Sequence, residues 1–207
     1  MPGTRITTED ELREIMGEPS GLAVDKVTDH IDEESARVLR ASPFFLLATA
    51  SPDGDCDVSP RGDPPGSVLV LDDHTLAFGD RKGNRRLDSF QNILTQPKVA
   101  LLFLVPGMNE TIRVNGTATI LRDAPYADQL TVKGHRPEIV IEVRVDELYM
   151  HCAKAFVRSS LWKAESWPSR RELPTGGQLL RSASGTNGTS VADLDRILDE
   201  GTRTRQY

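Results

Sequence analysis

Residues 76–116 read LAFGDRKGNRRLDSFQNILTQPKVALLFLVPGMNETIRVNG. An apolar run of strand length, Leu76, Ala77 and Phe78, ends in Gly79-Asp80. A basic cluster with one glycine follows: Arg81, Lys82, Gly83, Asn84, Arg85 and Arg86. Leu87, Phe90, Ile93 and Leu94 then recur with helical periodicity until Gln96-Pro97 stops the pattern. Two further strand patterns, residues 99–105 and 111–121, are joined through Pro106-Gly107. The cluster therefore lies between a strand end and a helix, and the pattern places it at the helix start. Free backbone N–H groups and the positive end of the helix dipole favour an anion there. Added cations make a phosphate-type anion the expected ligand. The competing reading is a loop of solvated surface charges. Gly83, which lets a ligand approach the backbone, argues against it, as does the acidity of the chain as a whole.

The chain has 207 residues, 38% of them hydrophobic, and a formal net charge of −6. That length supports one core with a terminal appendage. No extended basic face marks a nucleic-acid binder. Cys56 and Cys152 lie far apart, and His30, His74, His135 and His151 form no closely spaced pair. Neither a disulfide framework nor a zinc site is expected. No apolar run reaches membrane-span length, and residues 1–16 lack a signal-peptide core. The expectation is a cytoplasmic protein with no membrane or nucleic-acid partner.

From the N-terminus, Thr8 and Glu11 form a capping box ahead of Leu12, Ile15 and Met16, with Gly17 and Pro19 as the stop. A second helix is expected over residues 32–41, broken by Ser42-Pro43. Residues 44–50 read as a strand, residues 52–55 as a turn, and residues 56–58 as the returning strand. The segment SPRGDPPG, residues 59–66, reads as a rigid loop. Residues 68–71 and 76–78 continue a meander of short antiparallel strands, the mark of a barrel or sandwich. Residues 125–132 suit a short helix. Residues 138–149 alternate apolar and charged side chains and form the clearest half-buried strand. Residues 152–159 have helical character. Residues 169–189 read as a polar loop or tail, and Ser190 caps a last helix expected to end at Gly201. This divides the chain into a helical segment (1–42), a β-domain (43–168), and an arm with a short helix (169–207).

Over residues 43–162 the motifs S-P-R-G-D, G-N-x-R, L-F-x-x-P-G, R-V-N-G and C-A-K-A-x-x-R-S-x-L-W follow one another in order. That order resembles the pyridoxamine 5′-phosphate oxidase-like flavoproteins. The resemblance implies a mostly β fold with flanking helices, a Greek-key split β-barrel. It also implies a homodimer with FMN at the interface and an FMN-dependent oxidoreductase acting on a small molecule by two-electron transfer through flavin N5. By the same resemblance, the phosphate would fall to Lys82, Asn84, Arg85 and Arg86 with Arg61. The flavin ring would lie near the backbone of residues 59–63, including Ser59 and Asp63, near Thr111, and near Arg158 and Trp162 of a partner subunit. The residues alone also allow Trp162 as a core or interface side chain, Cys152 as a small buried one, and His151 as structural. The R-x-H motif with which the oxidases hold pyridoxamine phosphate is absent after Trp162. Non-catalytic flavin or haem carriage, and F420-dependent reduction, stand as alternatives, because this fold serves several chemistries.

Overall fold

The computed structural model describes residues 3–184 and 188–207. Seven strands carry it: β1 Phe44–Ala50, β2 Cys56–Gly62, β3 Val68–Asp72, β4 Thr75–Gly79, β5 Lys98–Leu104, β6 Thr111–Arg122 and β7 Ile139–His151. They form one antiparallel sheet in the order β2-β1-β5-β6-β7-β4-β3. The helices are α1 Glu9–Met16, α2 Gly21–Asp25, α3 Glu33–Ala41, α4 Asp88–Thr95, α5 Lys154–Ser159, α6 Gly176–Ser184 and α7 Val191–Thr204.

The sheet curls without closing, and β2 and β3 remain its edges. Curling shows in the core, where Phe45 of β1 meets Phe78 of β4 edge to face at 4.9 Å although those strands share no ladder. Leu47, Leu76, Leu101, Phe103, Val114, Ile141 and Val143 fill the interior with them. Inward and outward residues alternate in β1, so Phe45, Leu47 and Thr49 are buried. Ala124, Ala127 and Leu130, on and beside a 3₁₀ turn, cover the opposite face of β4 and β7 at Ala77 and Val140. This is the split-barrel architecture expected from the sequence.

Local signals explain most boundaries. The Thr8–Glu11 capping box is formed in full, and Asp32 and Ser190 cap α3 and α7. β7 carries a bulge at Asp146, opposite Asn115 and Gly116 of β6, and a Cβ at Gly116 would overlap the Arg144 carbonyl oxygen. Five expectations need correction. Residues 59–62 continue β2 instead of forming a loop. β2 is an edge strand, so Pro60 can lack a donor without breaking the ladder. α4 begins at Asp88, so the basic cluster is a connecting segment ahead of the helix and not its first turn. Residues 176–184 are helical, where a loop was expected, and α7 runs past Gly201 to Thr204. Residues 185–187 of that expected loop lie outside the described residues. Cys152 is exposed instead of buried, because it follows the end of β7 at the sheet margin.

Candidate functional site

The barrel's open seam contains a cleft of about 490 Å³. Its floor is Phe45 and Phe78, two members of the core. Its walls are the end of β2 (Pro60 to Asp63), the start of β3 (Ser67 and Val68), the end of α3 (Ser42 and Pro43), and Gly79, Arg81, Lys82 and Gly83 after β4. Gln206 and Tyr207, beyond α7, complete the lining.

Charge is arranged in pairs along this cleft. Arg61 Nη1 donates to Asp80 Oδ1 at 2.8 Å, and the Arg61 guanidinium lies 5.6 Å from the Phe90 ring centre. Burial holds the Asp80 carboxyl above its ordinary value, although the positive charge of Arg61 pulls the other way. Arg61 Nε is buried and makes no hydrogen bond, which leaves one donor unmatched within the protein. Arg81 Nε donates to Asp63 Oδ2 at 2.6 Å, and both side chains are largely buried, 14% and 12% exposed. Arg81 Nη2 also donates to the Leu130 carbonyl at 2.7 Å, so Arg81 fastens the basic segment to the 130–135 turn. At Gly79 a Cβ would press on the Pro137 ring at 2.9 Å, which explains the glycine where the segment leaves β4.

The expected site residues divide into three groups. Arg61, Asp63 and Lys82 line the cleft. Ser59, Asn84, Arg85 and Arg86 lie beside it, outside its lining. Ser59 Oγ is 3.1 Å from Ser89 Oγ, and Ser89 in turn donates to Asp57 Oδ2, tying β2 to the first turn of α4. Asn84 Oδ1 accepts the Arg86 backbone N–H at 3.0 Å and shapes the turn. Arg85 and Leu87 adopt left-handed backbone with φ of 62° and 65°, an arrangement costly for such side chains. Arg86 is 72% exposed, and its Nε donates to Asp88 at 2.7 Å. That contact raises the guanidinium above its ordinary value.

Thr111, Arg158 and Trp162 lie elsewhere. Thr111 is buried at the start of β6, paired in register with His151. Trp162 Nε1 donates to the Met108 carbonyl at 2.7 Å, and its ring stacks on Phe156 at 5.7 Å. Within one chain this tryptophan packs against its own neighbours, while Arg158 is exposed on α5. Arg61, Phe45, Phe103 and Ile112 occupy one row across β2, β1, β5 and β6. At roughly 4.8 Å per strand, Arg61 and Ile112, the neighbour of Thr111, are about 14 Å apart measured along the sheet. His151 Nε2 is buried without a partner, and burial, then the charges of Arg113 and Lys26, hold the imidazole below its ordinary value.

Sequence reading passed over Arg81 as a cleft residue, although it stands beside Lys82, and it missed Tyr207 altogether. A signal existed for Arg81 in its place two residues after the β4 glycine. None existed for Tyr207, which lies 126 positions farther along the chain.

The family described as pyridoxamine 5′-phosphate oxidase matches residues 31–152, more than half of the chain and all seven strands. The chain belongs to that family. Membership places it in a flavin-binding, oxidoreductase-like class. No match is found among curated proteins. Among solved structures, a Lactobacillus delbrueckii protein whose name refers to pyridoxamine 5′-phosphate oxidase is 28% identical, with a TM-score of 0.46; the alignment covers 59% of this chain and 95% of that one. An FMN-binding protein from Syntrophomonas wolfei is 11% identical, with a TM-score of 0.46, over 69% of this chain and 96% of that one. HupZ of Group A Streptococcus is 20% identical, with a TM-score of 0.45, over 57% and 91%. Membership rests on the sequence match over residues 31–152, since these TM-scores lie below 0.5. No helix among the described residues is long and apolar enough to cross a membrane.

Proposed function

We propose that this member of the family is an FMN-dependent oxidoreductase acting on a small molecule. The observation that carries the reading is the seam cleft, where cations from two strand ends converge over an aromatic floor in a chain of this family. Its volume of about 490 Å³ falls within the range of small-molecule and cofactor sites, roughly 300–1,000 Å³. The unmatched Arg61 Nε and the open space around Gly83 fit a flavin nucleotide.

In this reading Lys82, Arg85 and Arg86 hold the phosphate. The Arg86–Asp88 contact is a surface ion pair, worth at most about 1 kcal/mol, so a dianion can replace the carboxylate at little cost. Arg61 and the backbone of residues 59–63 face the ring, and Phe45 and Phe78 exclude water below it. Bound FMN would supply two-electron transfer at N5. The chain's own task is then orientation and electrostatics, in keeping with a cleft lined by paired charges.

The reading includes a homodimer. Thr111, Arg158 and Trp162 do not line the cleft in one chain, and a second copy can bring its own set to it. A stable monomer that binds FMN in sedimentation runs would overturn this part.

Purified protein titrated with FMN should turn yellow stoichiometrically and bleach anaerobically with NADH or NADPH; failure to retain any flavin would remove the proposal. Arg86→Ala is expected to weaken FMN by about 1.5–3 kcal/mol, the range for a hydrogen bond to a charged group. Riboflavin, which lacks the phosphate, should lose much less. Equal losses for both ligands would take Arg86 out of the phosphate role.

A further inference from the structure

The mouth of the cleft is occupied by a side chain of the protein itself. α6 and α7 pack against each other, with the Gly177 N–H donating to Asp195 Oδ1 at 2.6 Å. The short segment after α7 carries Gln206 and Tyr207 into the cleft lining. The Tyr207 ring lies nearly parallel to the His135 ring, at 15° and 5.6 Å between centres. Two cations face it, Lys133 Nζ at 5.2 Å and the Arg81 guanidinium at 5.9 Å from the ring centre. Desolvation first, and the nearby Asp63 carboxylate second, raise the Tyr207 hydroxyl above its ordinary value.

These contacts are built from elements that the barrel fixes independently of Tyr207. Val132 and His135 bridge to each other across a tight turn, with Lys133 and Gly134 at φ of 49° and 81°. That geometry presents Lys133 and His135 side by side. Arg81 is held by Asp63 and the Leu130 carbonyl. One stacking ring, two cations and one acceptor for a hydroxyl make a receptor for a planar aromatic group. The ring that fills it is attached through a helix pair whose closest packing is internal to the pair.

We propose that His135, Lys133, Arg81 and Asp63 form an aromatic-ring subsite at the cleft mouth, and that Tyr207 occupies it as a displaceable cover. The identity of the ligand that displaces the cover, FMN, rests on the function proposed above; the subsite itself does not. A cover that is in place most of the time lowers the apparent affinity of an entering ligand by the fraction of time the mouth is open.

The experiment has two arms. In the first, the His135 ring protons are assigned in NMR spectra by comparison with His135→Gln. They should be shifted by ring current in the wild type and relax in Tyr207→Ala. Millimolar p-cresol, the tyrosine side chain without its backbone, should restore the shift in Tyr207→Ala and leave the wild type unchanged. Tyr207→Phe, which keeps the ring, should retain the stacking. An unmoved His135 signal in Tyr207→Ala, or no effect of p-cresol on that variant, overturns the subsite. In the second arm, Tyr207→Ala should bind FMN at least about threefold more tightly, the factor for a cover in place two-thirds of the time. Unchanged or weaker binding overturns the cover. If neither protein binds FMN, the flavin reading fails, and the p-cresol arm still decides the subsite.

Discussion

Replacing Phe103 with alanine should destabilise the protein by about 3–5 kcal/mol, the usual cost of deleting a fully buried aromatic side chain. Phe103 has no exposed surface. Its ring lies 4.8 Å from that of Phe45, which in turn meets Phe78 at 4.9 Å. Phe45 and Phe78 are the cleft floor, so the void would open directly beneath the candidate site. Chemical denaturation should show a lower midpoint with an unchanged slope, because the surface exposed on unfolding barely alters. A second effect follows from the geometry. With its support gone, Phe45 can turn into the void, and ligand affinity should fall even under conditions where the variant remains folded. Phe103→Leu, which refills most of the space, should lose much less on both counts. A loss below about 1 kcal/mol for Phe103→Ala would mean that the interior can collapse around the gap, and that the floor is softer than close packing implies.

The sheet was legible where one face is buried and the other is wet. In β7, Val143 and Val145 alternate with the charged Glu142, Arg144 and Asp146, and the strand forms where that period predicts. The starts of α1, α3 and α7 were legible because a capping side chain is a local device, realised at Thr8, Asp32 and Ser190. Errors arose where glycine and proline serve tertiary purposes. Gly176 and Gly177 look like loop residues, yet a Cβ at either would strike α7, at Leu198 Cδ1 and the Val191 carbonyl, both 2.6 Å away. They are glycines of close helix packing, a role that one helix read alone cannot reveal. Pro60 looked like a strand breaker and is tolerated because β2 has a free edge, which depends on the order of the strands. The candidate site was half legible for the same reason. The basic cluster and Arg61 stand out by composition, but their pairing with Asp80 and Asp63 depends on the ends of β2 and β4 meeting beside the open seam.

Asp63→Ala is the second substitution expected to have a large effect, about 3 kcal/mol of stability. Asp63 and Arg81 are a pair with little solvent contact, and removing one partner strands the other charge, commonly at a cost of 3–5 kcal/mol. The lower end applies because Arg81 keeps the Leu130 and His135 carbonyls as acceptors. The surface pair Lys98–Asp146 gives the contrast. Its lysine is 63% exposed, and its loss should cost at most about 1 kcal/mol. Salt should separate the two further, since a partly buried pair is screened far less than an exposed one. The damage from Asp63→Ala should also be local. Arg81 fixes the basic segment to the 130–135 turn, so backbone amides of residues 81–87 should exchange hydrogen faster while those of β5 and β6 hold. Arg81→Met in the same chain removes the stranded charge. The double variant should therefore be more stable than the sum of the two single losses predicts, with a coupling of about 1–3 kcal/mol. Strictly additive losses would show that the two side chains act separately, and that the wall of the cleft does not depend on their contact.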